Sequence, residues 1–186
     1  MSILDIRVLG DPILREETKP VEDVTDGLRT LVKNMFETMY AAKGIGLAAP
    51  QVGRTERVAV VDIDETPMVL INPEVVRTQG KVKKAEEGCL SIPDVYGDVE
   101  RPMKVLVRAT DIEGKEFEIE ADDLLARCLQ HEIDHLHGKL FIDYFSVLRR
   151  RSALSKWSKE KDKYPGLVRR LDTDPTRKHE HPDEEL

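Results

Sequence analysis

The chain predicts an α+β fold: mainly antiparallel β-sheets around a central helix, with an N-terminal amphipathic helix before them and a C-terminal helix after. Three observations carry this reading. Leu28, Leu31, Val32, Met35, Phe36, Met39 and Tyr40 recur at helical spacing and form one apolar stripe. Short Val- and Ile-rich runs separated by turn residues fill the middle of the chain. No strand–helix–strand rhythm runs through them, which points to antiparallel pairing rather than a parallel, doubly wound sheet.

Residues 1–20 read as irregular, with turn signals at Gly10-Asp11-Pro12 and Lys19-Pro20. The first helix follows, capped by Asp23 or Thr25 and stopped near Gly44. Strands are expected at Arg57–Ile63, at Met68–Ile71 ending on Asn72-Pro73, and at Lys104–Arg108. Asp111-Ile112-Glu113-Gly114 reads as a hairpin turn into a further strand at Glu116–Glu120. The central helix begins near Asp122, or Ala121, and stops near Gly138. Phe141–Phe145 is a short apolar segment. A basic, helix-compatible stretch runs from Ser146 to about Lys161, with Arg149-Arg150-Arg151 in it, until Tyr164-Pro165-Gly166 breaks it. Residues 1–163 are therefore expected to form one domain, and the charged residues 164–186 a disordered tail.

At 186 residues and 40% hydrophobic content, the chain can bury a core without disulfide staples. A net charge of -7 argues against a broad nucleic-acid-binding surface and against direct sequence-specific nucleic-acid binding. No stretch approaches the roughly 20 apolar residues that a membrane span needs. The opening Met1-Ser2-Ile3-Leu4-Asp5-Ile6-Arg7 does not read as a secretory signal. Two lone cysteines, Cys89 and Cys128, fit a reducing, cytoplasmic setting in which thiols act as ligands, nucleophiles or core residues.

The chemistry concentrates in His131-Glu132-Ile133-Asp134-His135. Two histidines four apart on a helix share one face and reach one metal ion; a glutamate directly after the first is the usual general base of metal-dependent hydrolases. The third ligand is open at this point. The extended protease motif that adds a histidine downstream has Phe141 at that position, and Phe141 cannot bind metal. Glu160, the later-helix alternative, sits in a lysine-rich run of solvated character. Upstream, Cys89 in Glu87-Gly88-Cys89-Leu90-Ser91 offers a thiolate ligand, or is a buried free cysteine. Cys128 fits that second description better. Two histidines plus one cysteine leave one open tetrahedral position, as in catalytic metal sites. Leu124, Cys128, His131 and His135 follow at steps of four, three and four, so Leu124 and Cys128 should line a pocket beside the metal. Gly44-Ile45-Gly46-Leu47-Ala48-Ala49-Pro50-Gln51 is a small-residue loop; it is either a simple turn or a place where another backbone approaches, and Gln51 adds an amide able to donate to an oxyanion.

Taken in order and spacing, Gly44–Gln51, Glu87–Ser91 and Gln130–Leu136 resemble the signature motifs of the peptide deformylase family, over the N-terminus to about residue 160. The resemblance implies an amide hydrolase that removes the formyl group from the N-terminal formyl-methionine of nascent polypeptides and releases formate. It implies one divalent metal ion held by Cys89, His131 and His135, with iron(II) the native ion and zinc, nickel or cobalt able to replace it. It implies Glu132 as general base and acid, and an oxyanion held by the metal, the Gln51 amide and the Leu90 backbone N–H. The substrate would lie extended along Ile45–Gly46 and Gly88, with Glu87 at the pocket rim and the methionine side chain between Leu124, Cys128 and Ile45. Arg127 is expected to snorkel outward, and Arg101 to pair with Glu87 behind the metal loop. The basic C-terminal helix offers a contact to the ribosome. Two other classes stay in view: an endopeptidase of the HExxH type, and a metal-binding module without catalysis.

Overall fold

The structure, a computed structural model, describes residues 2–171. Strand β1 (Ile6–Arg7) leads into a 3-10 turn at Pro12–Arg15, whose start is capped by Asp11 accepting from the Ile13 N–H. Helix α1 (Asp26–Ala41) takes Thr25 as its N-cap, with Oγ1 accepting from the Leu28 N–H at 3.2 Å. The stripe Leu28, Leu31, Val32, Met35 and Met39 is buried as its spacing implies, but Tyr40 is half-exposed and donates its hydroxyl to Asp62.

One five-stranded sheet, wholly antiparallel, follows in the order β2 (Gly46–Ala48), β3 (Val58–Ile63), β4 (Thr66–Glu87), β5 (Gly97–Thr110) and β6 (Glu116–Asp122). The largest departure from expectation is β4, which does not end at Asn72-Pro73. Asn72 takes a left-handed conformation (φ 49°), and the register slips between Ile71 and Glu74. Its side chain holds both the N–H and the carbonyl of Val21, each at 2.8 Å. The Asn-Pro pair is thus a bulge at which Pro73 gives up no ladder bond, and the strand resumes beyond it. Up to Ile71 the strand pairs with β3; past the bulge it pairs with β5, and Glu74–Lys84 are all exposed. The β5–β6 turn is held by Asp111, whose Oδ1 accepts from the N–H groups of Glu113 and Lys115.

Helix α2 (Asp123–Leu136) packs across the sheet and is buried almost all round. It stops where Gly138 (φ 68°) turns the chain; a Cβ there would meet the Arg15 carbonyl oxygen at 2.6 Å. Four apolar clusters result, the smallest of them Ala48, Ala59 and Leu136. The first lies under α1 and includes Met35, Met39, Leu47, Val60 and Leu90. The second joins α2 to the sheet through Cys128, Leu129, Ile133, Val105 and Val107. The third gathers Leu14, Cys89, Ile92, Val99, Phe141, Phe145 and Trp157. The neighbours Cys89 and Leu90 are therefore anchored in different cores, which fixes the β4–β5 connection from both sides. Burying Leu90 and Ile92 contributes about 1.5–3 kcal/mol each to that anchoring.

Helix α3 (Val147–Glu160) is capped by Ser146 and buries only Trp157. Beyond it the chain differs from the expected tail. Tyr164 stacks on Trp157 with ring centroids 5.6 Å apart, Leu167 packs on the third core, and β7 (Val168–Arg169) pairs antiparallel with β1. The apolar residues Tyr164, Leu167 and Val168, spaced among charges, are what hold this stretch. Residues 172–186 of the expected tail lie outside the described residues. Among the described residues no helix is long and apolar enough to cross a membrane.

Candidate active site

Helix α2 and the turn after β4 bring together three side-chain atoms able to ligate a metal. His131 Nε2 and His135 Nε2 stand 3.2 Å apart, and Cys89 Sγ stands 3.3 Å from His135 Nε2. All three side chains are buried, and their ligand atoms lie within 4.8 Å of one another. A tetrahedral ion with ordinary Zn-type bond lengths would set its nitrogens about 3.3 Å apart and sulfur and nitrogen about 3.6 Å apart. The spacing fits an ion at their centre. Cys128 does not join them: it is fully buried, its Sγ sits 3.8 Å from the Ile45 carbonyl oxygen, and burial pushes its thiol pKa well up. Phe141 stacks on the His131 ring instead of supplying a ligand, and Glu160 pairs with Lys163 at the end of α3.

Glu132 has both carboxylate oxygens buried without a hydrogen-bond partner, as has His135 Nδ1. Leaving a buried carboxylate unsatisfied is costly, and such groups mark sites that receive a ligand. Burial is the largest influence on its pKa, which rises to about 7; the charges of Glu87 and Asp134 add to the rise, while His131 and Arg101 oppose it. Gly46 makes room for this carboxylate: a Cβ there would lie 2.3 Å from Glu132 Oε1 and 3.0 Å from Cys128 Sγ.

Glu87 is not at a pocket rim. It is 1% exposed, and both its oxygens are engaged. His131 Nδ1 faces Oε2 at 3.1 Å, which leaves Nε2 turned toward the ligand cluster. Arg101 donates to Oε1 at 2.6 Å and to Oε2 at 3.1 Å, so the pairing of Arg101 with Glu87 is present. Arg127 does not snorkel outward; it is 4% exposed and donates to Glu87 Oε1 and to the carbonyls of Val99 and Lys83. A carboxylate between two guanidinium groups and an imidazole explains this burial. Arg127 stands four residues before His131, on its face of the helix, and that spacing was the signal available in the sequence. Arg101 also donates to Asp134, which accepts from the Tyr144 hydroxyl at 2.8 Å. Burial alone would raise the Glu87 pKa, but hydrogen bonds and charge from His131 and Arg101 hold it well below the usual carboxylate range.

Gln51 is fully buried at the end of the small-residue loop. Its Oε1 accepts from the Ala48 N–H at 2.8 Å, which orients Nε2 to lie 3.3 Å from Ser91 Oγ and 3.6 Å from Cys89 Sγ. Its amide therefore faces the turn that carries Cys89 and Ser91. Gly88 and Leu90 are buried in that turn. Ile45 and Gly44 line a cavity of about 350 Å³ with Tyr40 and Leu124, and Leu124 is 45% exposed. Leu124 thus borders the surface, while Cys128 lies beneath Ile45 and Gly46.

A family model described as polypeptide deformylase matches residues 3–151. The chain belongs to the polypeptide deformylase family. Deformylases remove the N-formyl group from nascent peptides, and the chain is accordingly a deformylase hydrolase; an HExxH endopeptidase is not favoured. A peptide deformylase of Hydrogenovibrio crunogenus is 55% identical over 163 residues, spanning 86% of this chain and 96% of that protein. The crystal structure of a Legionella pneumophila peptide deformylase matches with a TM-score of 0.84 and 48% identity, over 88% of this chain and 98% of that one. A Synechococcus elongatus peptide deformylase, solved in complex with actinonin, matches with a TM-score of 0.80 and 49% identity, over 83% and 86% of the two chains.

Proposed function

We propose that Cys89, His131 and His135 hold the divalent ion of this deformylase, and that Glu132 moves the protons of formyl hydrolysis. The orphaned Glu132 carboxylate beside the ligand cluster carries this reading. A divalent ion held there supplies Lewis acidity and a water acidic enough to act near neutrality. A carboxylate oxygen of Glu132 would accept a proton from the attacking water and return it to the amine as the formyl C–N bond breaks. Formate leaves with the oxygen of the water, and the peptide leaves as a free amine. The Gln51 amide and the Leu90 backbone N–H donate to the oxygen on which negative charge develops.

The formyl-methionyl peptide lies extended along Ile45–Gly46 and Gly88, with its methionine side chain between Ile45, Leu124 and Cys128. Glu87 acts from behind, fixing the tautomer of His131, rather than touching substrate. Iron(II) is the proposed native ion, with zinc, nickel or cobalt as substitutes, since a thiolate and two imidazoles suit several first-row metals. The proposed location is the cytoplasm, where nascent chains arise and the two unpaired cysteines stay reduced. The arginines of α3 are proposed to face the ribosome. The catalytic unit is proposed to extend past residue 163, to include β7.

The test is an anaerobic assay of formyl-Met-peptide hydrolysis, with formate and bound metal measured on the same sample. Formate release is expected from the wild type, and loss of both metal and activity with the fold kept is expected from Cys89→Ser. Cleavage of unformylated peptides without formate would overturn the assignment. A Glu132→Ala enzyme that kept metal and full activity would remove Glu132 from the mechanism.

A further inference from the structure

The turn that carries Cys89 is closed by a hydrogen bond from the Ile92 N–H to the Cys89 carbonyl, 2.9 Å long. Its two central residues, Leu90 and Ser91, then present their carbonyls outward, and both are held from elsewhere in the chain. Ser91 O accepts from the Leu9 N–H at 2.8 Å. Leu90 O accepts from Arg169 Nη1 at 3.3 Å. The Leu9 segment is itself braced by the C-terminal stretch: Leu9 O accepts from Trp157 Nε1 at 2.9 Å, and the Val8 N–H donates to Leu167 O at 3.0 Å. Pairing of β7 with β1 sets Arg169 opposite Ile6, and Ile6 is fully buried, so the strand from which Arg169 reaches is itself fixed. Trp157, Leu167 and Arg169 all lie beyond residue 151, where the match to the family model ends.

We infer that Arg169 is a positioning residue for the deformylation reaction: it holds the Leu90 carbonyl and thereby sets the tilt of the turn that supplies Cys89. The inference rests on the proposed roles of Cys89 and the Leu90 N–H. The Leu90 N–H belongs to the peptide unit just before the one Arg169 grips. A turn has little freedom when its central peptide plane and the plane after it are both pinned, and a charged donor is among the stronger pins available to a carbonyl. Releasing one plane lets the thiolate and the N–H drift from their common target without dissolving either core that anchors Cys89 and Leu90. Misplacement of that kind lowers the rate of the chemical step more than it weakens substrate binding.

The experiment compares wild type, Arg169→Ala, Arg169→Lys and Arg170→Ala in the full chain. Arg170 is the neighbouring control, an exposed residue whose guanidinium lies 4.0 Å from Asp5. In Arg169→Ala, kcat on a formyl-Met-peptide is expected to fall about three- to tenfold with KM unchanged and metal content retained. The thiolate-to-metal charge-transfer band of the cobalt-loaded enzyme should shift, and amide exchange across residues 88–92 should quicken in the metal-free protein. Arg169→Lys should recover part of each effect, and Arg170→Ala should match wild type. Unchanged kcat, band and exchange in Arg169→Ala overturn the inference, and so does a lowered melting temperature with those three unchanged, since that describes a tether. If Arg169→Ala does not fold, Arg169→Lys decides by the same three readouts. Failure of the proposed function shows separately, as absence of formate release from the wild type.

Discussion

Gly46→Ala is the sharpest probe of how closely this site is built. The added methyl carbon would lie 2.3 Å from Glu132 Oε1, 2.8 Å from its Cδ and 3.0 Å from Cys128 Sγ. Ordinary contact begins about 1 Å farther out than the shortest of these, so the carboxylate must move by roughly that distance. Gly46 is absent from the residues with positive φ, so alanine meets no backbone penalty there and the effect is one of space alone. A misplacement of about 1 Å in a catalytic group costs about 100-fold in rate, which corresponds to about 2.7 kcal/mol of barrier. Overpacking of this kind costs about 1–3 kcal/mol of stability, or a melting temperature lower by about 2–4 °C per kcal/mol for a chain of this size. The expected variant is therefore folded and metal-loaded, with kcat reduced about 100-fold. Formate release, metal analysis and thermal denaturation on one preparation test it. If kcat stays within about threefold of wild type while metal is bound, the position of Glu132 seen here is not the one the reaction uses.

Three further perturbations follow from the site. Glu87→Gln removes the anion shared by Arg101 and Arg127, whose side chains are 3% and 5% exposed; about 3–5 kcal/mol of stability should be lost, and metal affinity should fall about 10- to 100-fold in a competitive chelator titration. Because the Glu87 pKa is depressed by folding, its stabilisation is complete above the ordinary value of 4.5 and is lost as pH falls through the lower folded value, so Glu87→Gln should flatten the acid limb of melting temperature against pH. Gln51→Ala should lower kcat about 10²- to 10³-fold, with an added loss of about 1–3 kcal/mol from the Ala48 N–H left without its acceptor. Chelation should abolish formate release while far-UV circular dichroism persists, since α2 and the Cys89 turn are closed by their own backbone bonds, and added metal should restore it; activity that survives complete metal removal contradicts the assignment.

Local signals explain what could be read from the chain. The pentad, its helix and the stripe of α1 are short-range periodicities, and the structure reproduces them nearly residue for residue. What escaped depends on partners far along the chain. Asn72-Pro73 reads as a stop, and becomes a bulge only because Val21, 51 residues away, satisfies the Asn72 amide. Glu87 reads as a rim residue until Arg101, Arg127 and His131 close around it, and an arginine on an apolar stripe reads as exposed until its buried anion is known. The segment 164–171 looks too polar to order, yet a few apolar contacts and two backbone pairings with β1 suffice.

The open outer edge of β4 has a consequence for how many copies can share a solution. An extended strand with free N–H and carbonyl groups is a template on which another molecule's strand can grow. Here the exposed run carries Arg77, Lys81, Lys83 and Lys84, with Gly80 at φ 77° interrupting its pleat. Two such edges brought together would set cation against cation along a bent seam. The ribbon that carries Cys89 at its end thus opposes sheet-to-sheet growth with its own charge, which offsets the exposed Val75, Val76 and Val82 on the same run.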